Sequence, residues 1–358
     1  MSFTLHLHSY SQNSPRNFGL DLMRVIAISL VFYSHAIKGV VKGVLIGDLG
    51  VELFFVLSGF LVGRYFFTGA QEYSADFAFR FMAKRWLRTL PLYYFVILLK
   101  MLLTQQAFSE TWFYTVFIQN YVSLSFFSVS WSLSIEEWFY LLLPLMALLI
   151  IRHSAHVRRI IICIAVIYGI ELILRSYSVS ENVSWEAIMS TVHLRMDSLL
   201  TGVALVFIKY EYAGIYSRLK SVWVFCFALL ATALFLYAFA DAYLDSRLNT
   251  LVFFRVSGFT LLSIFIALLV PFMETISITK EKFPGRLISW MIISGSILTY
   301  SFYLVHSEVI DYFSTFRFGR IEKTAYAFFV SLILSWLLYL CVERPFLNIK
   351  DTIKIGRN

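Results

Sequence analysis

The sequence predicts an all-α polytopic membrane protein. Of the 358 residues, 59% are hydrophobic and only 15% are charged, whereas an average globular chain carries about 25% charged residues. The hydrophobic residues occur in repeated runs of about 20, the length of an α-helix that crosses a bilayer. This composition excludes a disordered chain, a nucleic-acid-binding domain and an ordinary cytosolic enzyme. The net charge of +8 is therefore read as a topology signal rather than as nucleic-acid binding.

Ten apolar runs are predicted to cross the membrane. They fall at roughly 20–38, 48–67, 90–104, 131–151, 160–176, 187–208, 221–240, 252–272, 288–311 and 324–343. An eleventh run, 111–127, is interrupted by Gln119 and Asn120. We expect this run to remain on the external side, or to be re-entrant, rather than to cross.

The distribution of Lys and Arg sets the predicted orientation. With a cytoplasmic N-terminus and no crossing at 111–127, 18 of the 30 basic residues fall in cytoplasmic segments and 6 in external ones. This asymmetry follows the positive-inside rule. If 111–127 crossed, the basic loop 152–159 would move outside. We therefore predict a cytoplasmic tail over 1–19, a single membrane domain over 20–343 and a cytoplasmic tail over 344–358.

Ionisable side chains inside a bilayer are costly, so their positions in the spans are informative. The first span has Arg24 near its cytoplasmic end and His35 near its external end, about 16 Å apart along a helix. Four other spans carry further titratable groups in their outer halves: Glu52, Glu136 with Glu137, Arg195 with Asp197, and His306. Five spans are thus predicted to place titratable groups at one depth. Arg195 and Asp197 also have a plainer interpretation as a buried structural pair.

A basic amphipathic segment precedes the third span. In 77–91, helical spacing places Arg85 and Arg88 on one face. Such a segment can lie in the membrane interface as a positive-inside anchor. It can also hold the phosphates of a cytoplasmic cofactor, because arginine binds phosphate through two parallel hydrogen bonds.

Seven motifs, taken together and in order, resemble the acyltransferase 3 family of membrane acyltransferases over roughly 17–346. They read LDLMRVIAISLVFYSH, GVELFFVLSGFLV, RWLR, WSLSIEEWFYLLLP, HLRMDSLLTG, SFYLVH and VERPF. The spacing of Arg24 and His35 matches the basic residue and histidine of the family's opening motif. Leu22 departs from that motif, in which a glycine follows the aspartate.

The resemblance implies transfer of an acyl group, most often acetyl, from cytoplasmic acetyl-CoA to a hydroxyl of an extracytoplasmic carbohydrate. O-antigen or exopolysaccharide, as a surface or lipid-linked glycan, is the expected acceptor. The lipid bilayer is the expected surrounding, in a bacterial cytoplasmic (inner) membrane. No metal and no nucleic acid are expected.

The resemblance also implies roles for individual residues. Arg24, Arg85 and Arg88 would bind the phosphates of CoA. His35 would act as the general base or as a transient acyl carrier, Glu52 or Glu136 would orient it, and His306 is a second candidate for acid–base chemistry. Glu52, Ser58, Arg195 and Asp197 would bind the substrate, and Ser58, Ser132 and Arg195 are the candidate donors to the oxyanion.

Two other classes of function fit part of the pattern. Intramembrane His, Glu, Arg and Asp also form the ion or substrate pathways of transporters. Against a transporter, the sequence shows no internal repeat and the titratable groups lie away from the midplane. A scaffold or assembly subunit with a degenerate acyltransferase fold is the third interpretation, disfavoured because His35, Arg85, Arg88 and Glu136 are all present.

Overall fold

A computed structural model describes residues 16–37, 41–68, 74–151, 157–244, 251–278 and 284–353. Within these ranges the chain folds into helices and contains no strand. The main helices are α1 (Phe18–Ala36), α2 (Val41–Thr68), α3 (Ala75–Thr104), α4 (Trp131–Ile151), α5 (Val157–Ser180), α6 (Asp197–Glu211), α7 (Ala213–Leu219), α8 (Val222–Leu244), α9 (Val252–Met273), α10 (Gly285–Ser314), α11 (Arg320–Leu338) and α12 (Arg344–Thr352).

The predicted fold class is confirmed. In the described part of the chain, eight helices are long and apolar enough to cross a membrane, and a ninth span results if the bent pair α6–α7 is taken as one. Helix α4 coincides with the fourth predicted span, 131–151. Most of the predicted tail 1–19, up to residue 15, lies outside the described residues, as do Lys38 and most of the loop 152–159.

The third span is longer than predicted. Helix α3 runs without a break for 30 residues from Ala75, and the side chain of Ser74 caps it by accepting a hydrogen bond from the amide of Phe77. The basic segment 77–91 is therefore continuous with the third span. Pro91 lies inside the helix, where it removes one backbone hydrogen bond. As a result, Arg85 and Arg88 are carried by a helix of the bundle.

The predicted span 187–208 is also wrong as a single helix. It consists of a short helix at Trp185–Ser190, a turn of 3-10 helix at Val192–Leu194, and α6, which is followed by α7 at a bend of 118°. Side chains of α5 compensate the break, because Arg175 Nε donates to Leu194 O at 2.7 Å and Glu171 Oε2 accepts from the amide of Asp197 at 2.9 Å. Backbone groups that leave a helix inside a membrane require such partners.

The segment 111–127 does not form a long helix, in agreement with the prediction that it does not cross. It is built from short turns at Phe108–Thr111, Trp112–Tyr114 and Gln119–Val122. The hydroxyl of Tyr93 in α3 donates to Tyr114 O at 3.0 Å. This hydrogen bond attaches the segment to α3.

Helix α2 lies at the centre of the bundle, packed against α1 and α6. Two glycines allow the close contact between α2 and α6. A Cβ atom at Gly59 would overlap the backbone oxygen of Leu199, and one at Gly202 would overlap the backbone of Val56 and Phe60. Small residues at helix contacts are typical of membrane bundles. The glycines of two of the sequence motifs are thus explained by packing.

The last span continues beyond its predicted end. Helix α11 passes through a π-helical turn, Tyr339–Glu343, directly into α12. The carboxylate of Glu343 accepts a hydrogen bond from Ser301 Oγ in α10 at 2.7 Å. The first nine residues of the predicted tail 344–358 are therefore helical, and α12 packs against α3.

Candidate active site

A cavity lies between α1, α2, α3, α4 and α10. Its empty volume is about 900 Å³, including the part open to solvent. Five of the ten predicted site residues line it: Arg24, Ser58, Arg85, Arg88 and Glu136. The cavity therefore gathers residues from four of the sequence motifs, on helices that are distant in sequence.

Three arginines line the same cavity. Arg85 lies over the ring of Tyr140, with its guanidinium carbon 5.3 Å from the centroid. Among the described residues, neither Arg85 nor Arg88 makes a salt bridge or a hydrogen bond to another side chain. Their N–H groups are thus not committed to any carboxylate in the described part of the chain.

Arg24 is only weakly neutralised. Its Nη1 lies 3.3 Å from Asp21 Oδ1, but the same carboxylate is bound more closely by Arg16 at 2.8 Å and by Ser296 Oγ at 2.6 Å. Arg24 is also in electrostatic range of Arg88. Like charges held together with little compensation favour the binding of an anion between them.

A hydrogen-bonded chain of side chains crosses the middle of the cavity. Tyr140 Oη donates to Glu136 Oε2 at 3.0 Å. Ser58 Oγ is hydrogen bonded to the same Tyr140 hydroxyl. Because Tyr140 donates its single proton to the carboxylate, Ser58 is the donor in the second bond. The chain is therefore directed from Ser58 through Tyr140 to Glu136.

Glu137 also lines the cavity. Successive residues of a helix point about 100° apart, and the sequence alone suggested that only one of the two glutamates would face the site. Both reach the cavity because it extends around α4, from Ser58 of α2 on one side to Tyr300 of α10 on the other. One carboxylate oxygen of Glu137 is buried and has no hydrogen-bond partner among the described residues.

The two histidines singled out in the sequence are in contact. His306 Nε2 lies 3.0 Å from His35 Nδ1. His306 Nδ1 lies 2.7 Å from the backbone oxygen of Tyr303, and His35 Nδ1 lies 3.1 Å from that of Val31. His306 is fully buried.

These contacts define the tautomers of the neutral pair. A carbonyl oxygen only accepts, so His306 carries its proton on Nδ1 and has a lone pair on Nε2. His35 Nδ1 is then the donor, shared between His306 Nε2 and Val31 O. The basic nitrogen of His35 is consequently Nε2. His306 orients His35 in the way that a carboxylate orients the histidine of a catalytic triad.

The histidine pair lies next to the end of the cavity. Tyr303 lines the cavity, and it precedes His306 by three residues, about 4.5 Å along α10. The centroids of the Tyr303 and His306 rings are 5.6 Å apart. Tyr303 is fixed by a 2.6 Å hydrogen bond with Ser132 and by donation to Val129 O at 2.8 Å.

Glu52, Arg195 and Asp197 lie outside the cavity, in a buried network between α2, α5, α6 and α9. Arg195 forms a salt bridge with Glu52 and lies 3.3 Å from the centroid of the Phe259 ring. Asp197 instead pairs with Arg175 at 2.7 Å. The interpretation of Arg195 and Asp197 as a pair with each other is therefore wrong, because the two side chains turn to different helices.

The titratable groups that were predicted at one depth do not form a single cluster. The structure separates them into the histidine pair, Glu136 and Glu137 at the cavity, and the network around Arg195. The expected contact of Glu52 or Glu136 with His35 is replaced by that of His306, since Glu52 is paired with Arg195 and Glu136 with Tyr140. Within the described residues, no group of three or more His, Cys, Asp or Glu could hold a metal ion.

Sequence analysis did not single out Tyr140 or Tyr303. Both lie in motifs that were recognised, Tyr140 four residues after Glu136 and Tyr303 three residues before His306. These spacings place each tyrosine on the same helix face as the recognised residue. The signal was present, but one hydroxyl among 21 tyrosines in an aromatic-rich chain does not stand out.

Fold and site together define a polytopic α-helical membrane protein with a cationic cavity that ends beside a histidine pair. The family model described as an acyltransferase domain, that of the acyltransferase 3 family, matches residues 17–340. The chain belongs to this family and is a membrane acyltransferase domain.

Curated relatives include the O-acetyltransferase OatA of Staphylococcus aureus strains COL and MW2. Each is 24% identical to this chain over 371 aligned positions, which cover 93% of this chain and 57% of the relative. The chain thus spans a little over half the length of these relatives. No solved structure matches the chain.

Proposed function

We propose that the protein is a membrane O-acyltransferase that moves an acetyl group from acetyl-CoA in the cytoplasm to a hydroxyl of an extracytoplasmic carbohydrate. One observation carries the proposal: a single cavity connects three arginines with Tyr303, the neighbour of the histidine pair. Such a cavity suits a donor that is anionic at one end and reactive at the other. The names of the relatives support acetyl as the group and oxygen as the acceptor atom.

The arginines are proposed to hold the donor. CoA carries a pyrophosphate and a 3′-phosphate, and guanidinium groups bind phosphate oxygens through paired hydrogen bonds. Arg85 and Arg88 are not engaged with carboxylates, so binding a phosphate would cost them no existing ion pair. The uncharged pantetheine arm would extend along the cavity past Ser58 and Tyr140 toward Tyr303.

The reaction is proposed to use His35 as a general base. His35 Nε2 accepts the proton of the sugar hydroxyl while the oxygen attacks the thioester carbonyl. The tetrahedral intermediate collapses with cleavage of the C–S bond, and the imidazolium returns the proton to the departing CoA thiolate. His306 stabilises the imidazolium through the bond to His35 Nδ1. Ser58 and Ser132 line the cavity and are candidates to donate to the oxyanion. Each would then exchange its present bond to a tyrosine hydroxyl, Ser58 that to Tyr140 and Ser132 that to Tyr303.

The orientation and surroundings belong to the same proposal. The positive-inside distribution supports a multi-pass protein of a bacterial cytoplasmic membrane with both termini inside. The arginines then face the compartment that contains acetyl-CoA, and His35 lies near the side of surface glycans. O-antigen, exopolysaccharide or their lipid-linked precursors are the proposed acceptors.

Mass spectrometry of surface glycans tests the proposal. Polysaccharide is compared from cells with the intact chain, with His35→Ala at matched membrane abundance, and without the gene. We expect one acetyl mass per modified unit only with the intact chain. Identical glycan and glycolipid masses in all three strains, with flux of a substrate dependent on the chain, would contradict the proposal and favour a transporter.

A further inference from the structure

Helix α12 turns one face toward the bundle. Glu343, Leu347 and Lys350 are spaced by four and three residues and therefore share that face. Glu343 accepts a hydrogen bond from Ser301 Oγ, and Leu347 is only 5% exposed. Lys350 is thus directed toward the neighbouring helices, and its side chain is 22% exposed.

Lys350 lies near two of the arginines of the cavity. Helix α12 packs against α3, and Lys350 is in electrostatic range of both Arg85 and Arg88. Two carboxylates are also near it: that of the adjacent, half-exposed Asp351 at 3.6 Å, and that of Glu343 in electrostatic range. Three cations thus converge from two packed helices, and an anion with several charges that binds between them would be attracted by all three.

The position along α12 indicates which part of such an anion Lys350 would meet. Glu343 is level with Ser301, which follows the cavity residue Tyr300. Lys350 lies seven residues further, about 10 Å along the helix, in the direction that leads away from the histidines. Arg85 and Arg88 line the cavity itself. Lys350 therefore lies outside the arginines, at the cytoplasmic mouth.

We propose that Lys350 is a further donor-binding residue, which holds the 3′-phosphate of acyl-CoA while Arg85 and Arg88 hold the pyrophosphate. The inference rests on the proposed function and identifies how the same site distinguishes its donor. In CoA the 3′-phosphate is on the ribose, at the opposite end from the acyl group. The outermost cation of the site thus meets the outermost anionic group of the donor.

Binding of acetyl-CoA and of acetyl-dephospho-CoA, which lacks the 3′-phosphate, to purified full-length protein tests the inference. We expect the intact chain to bind acetyl-CoA about tenfold or more tightly than the dephospho form, the magnitude of one hydrogen-bonded charge contact. In Lys350→Met the affinity for acetyl-CoA should fall to that for acetyl-dephospho-CoA, and the affinity for the dephospho form should not change. Lys350→Arg should keep it. Lys220→Met, the same change at the residue that follows α7, serves as the matched control and should bind both donors as the intact chain does.

The outcomes separate this inference from the proposed function. If Lys350→Met keeps the discrimination while Arg85→Ala loses donor binding, the role of Lys350 is overturned and the donor site stands. If the intact chain binds the two donors equally, the role of Lys350 is overturned without any variant. If the intact chain binds neither donor, both proposals are overturned.

Discussion

His306 Nε2 lies 3.0 Å from His35 Nδ1, across the contact between α10 and α1. The backbone oxygen of Tyr303 fixes the proton of His306 on Nδ1, so His306 accepts from His35. One histidine thereby determines which nitrogen of the other is basic. The two residues are 271 positions apart in the chain, and the contact unites the first and the penultimate predicted motifs.

Replacing His306 should affect turnover rather than donor binding. In His306→Ala the acceptor for His35 Nδ1–H is lost, and we expect kcat to fall by about 10²-fold, within the usual contribution of acid–base groups. His306→Gln can place its amide oxygen near His35 Nδ1 and should retain more activity than the alanine variant. Steady-state kinetics with unchanged KM for acetyl-CoA would support this. Equal activity of the two variants would show that acceptance of the His35 proton is not the role of His306.

Removing an arginine of the cavity should weaken donor binding. Arg85→Ala and Arg88→Ala each lose a charged contact to phosphate, and we expect the Kd of acetyl-CoA to rise by about tenfold or more. The matched control is Arg80→Ala on the same helix, because Arg80 pairs with Asp76 at 2.7 Å and is more exposed. Titration calorimetry measures the three affinities. An equal loss of affinity for acetyl-CoA in all three variants would show that Arg85 and Arg88 act only as general surface charges.

Tyr140→Phe tests the chain of hydrogen bonds in the cavity. The variant keeps the ring under Arg85 but removes the hydroxyl that joins Ser58 to Glu136. We expect kcat to fall by about tenfold to hundredfold, with little change in the affinity for acetyl-CoA. Tyr177→Phe removes a hydroxyl from an exposed tyrosine of α5 and should be neutral. A Tyr140→Phe enzyme with normal kcat would exclude the hydroxyl from the reaction.

The glycine contact between α2 and α6 makes a prediction about stability. In Gly202→Ala the new methyl group overlaps the backbone of α2, and overpacking of this kind costs about 1–3 kcal/mol. Gly169→Ala in α5 places its methyl group in open space and should be neutral or stabilising by up to about 1 kcal/mol. Thermal unfolding in one detergent compares the two variants. A midpoint for Gly202→Ala at or above that of Gly169→Ala would contradict the described packing.

Hydrophobic run length was sufficient to predict most of the fold. The run 252–272 corresponds to α9, Val252–Met273, almost to the residue. The break within 187–208 was not predictable from local sequence, because the side chain of Arg175 in another helix binds the freed Leu194 O. The full length of α3 was not predictable for a related reason. Arg85 and Arg88 interrupt the apolar run, but in the fold they face a cavity inside the bundle, so the helix continues past them.

For the site, the sequence predicted the identity of the important residues more accurately than it predicted which residues they contact. His35 and His306 were both expected at the external ends of their spans, but no local pattern shows that two helices 271 residues apart pack side by side. Arg195 and Asp197 are neighbours in sequence, which suggested a pair. Packing directs one to α2 and the other to α5. Such choices depend on tertiary contacts that a single sequence does not display.

The most direct test of the account is acetyl transfer in proteoliposomes, with labelled acetyl-CoA on one side and a glycan acceptor on the other. The intact chain, His35→Ala and the control His193→Ala are compared at equal amounts and after confirming equal thermal stability. His193 is an exposed residue that stacks on Tyr121, and no step of the proposed reaction uses it. We expect label on the acceptor with the intact chain and the control, and none with His35→Ala. Full transfer by His35→Ala would exclude His35 as the general base.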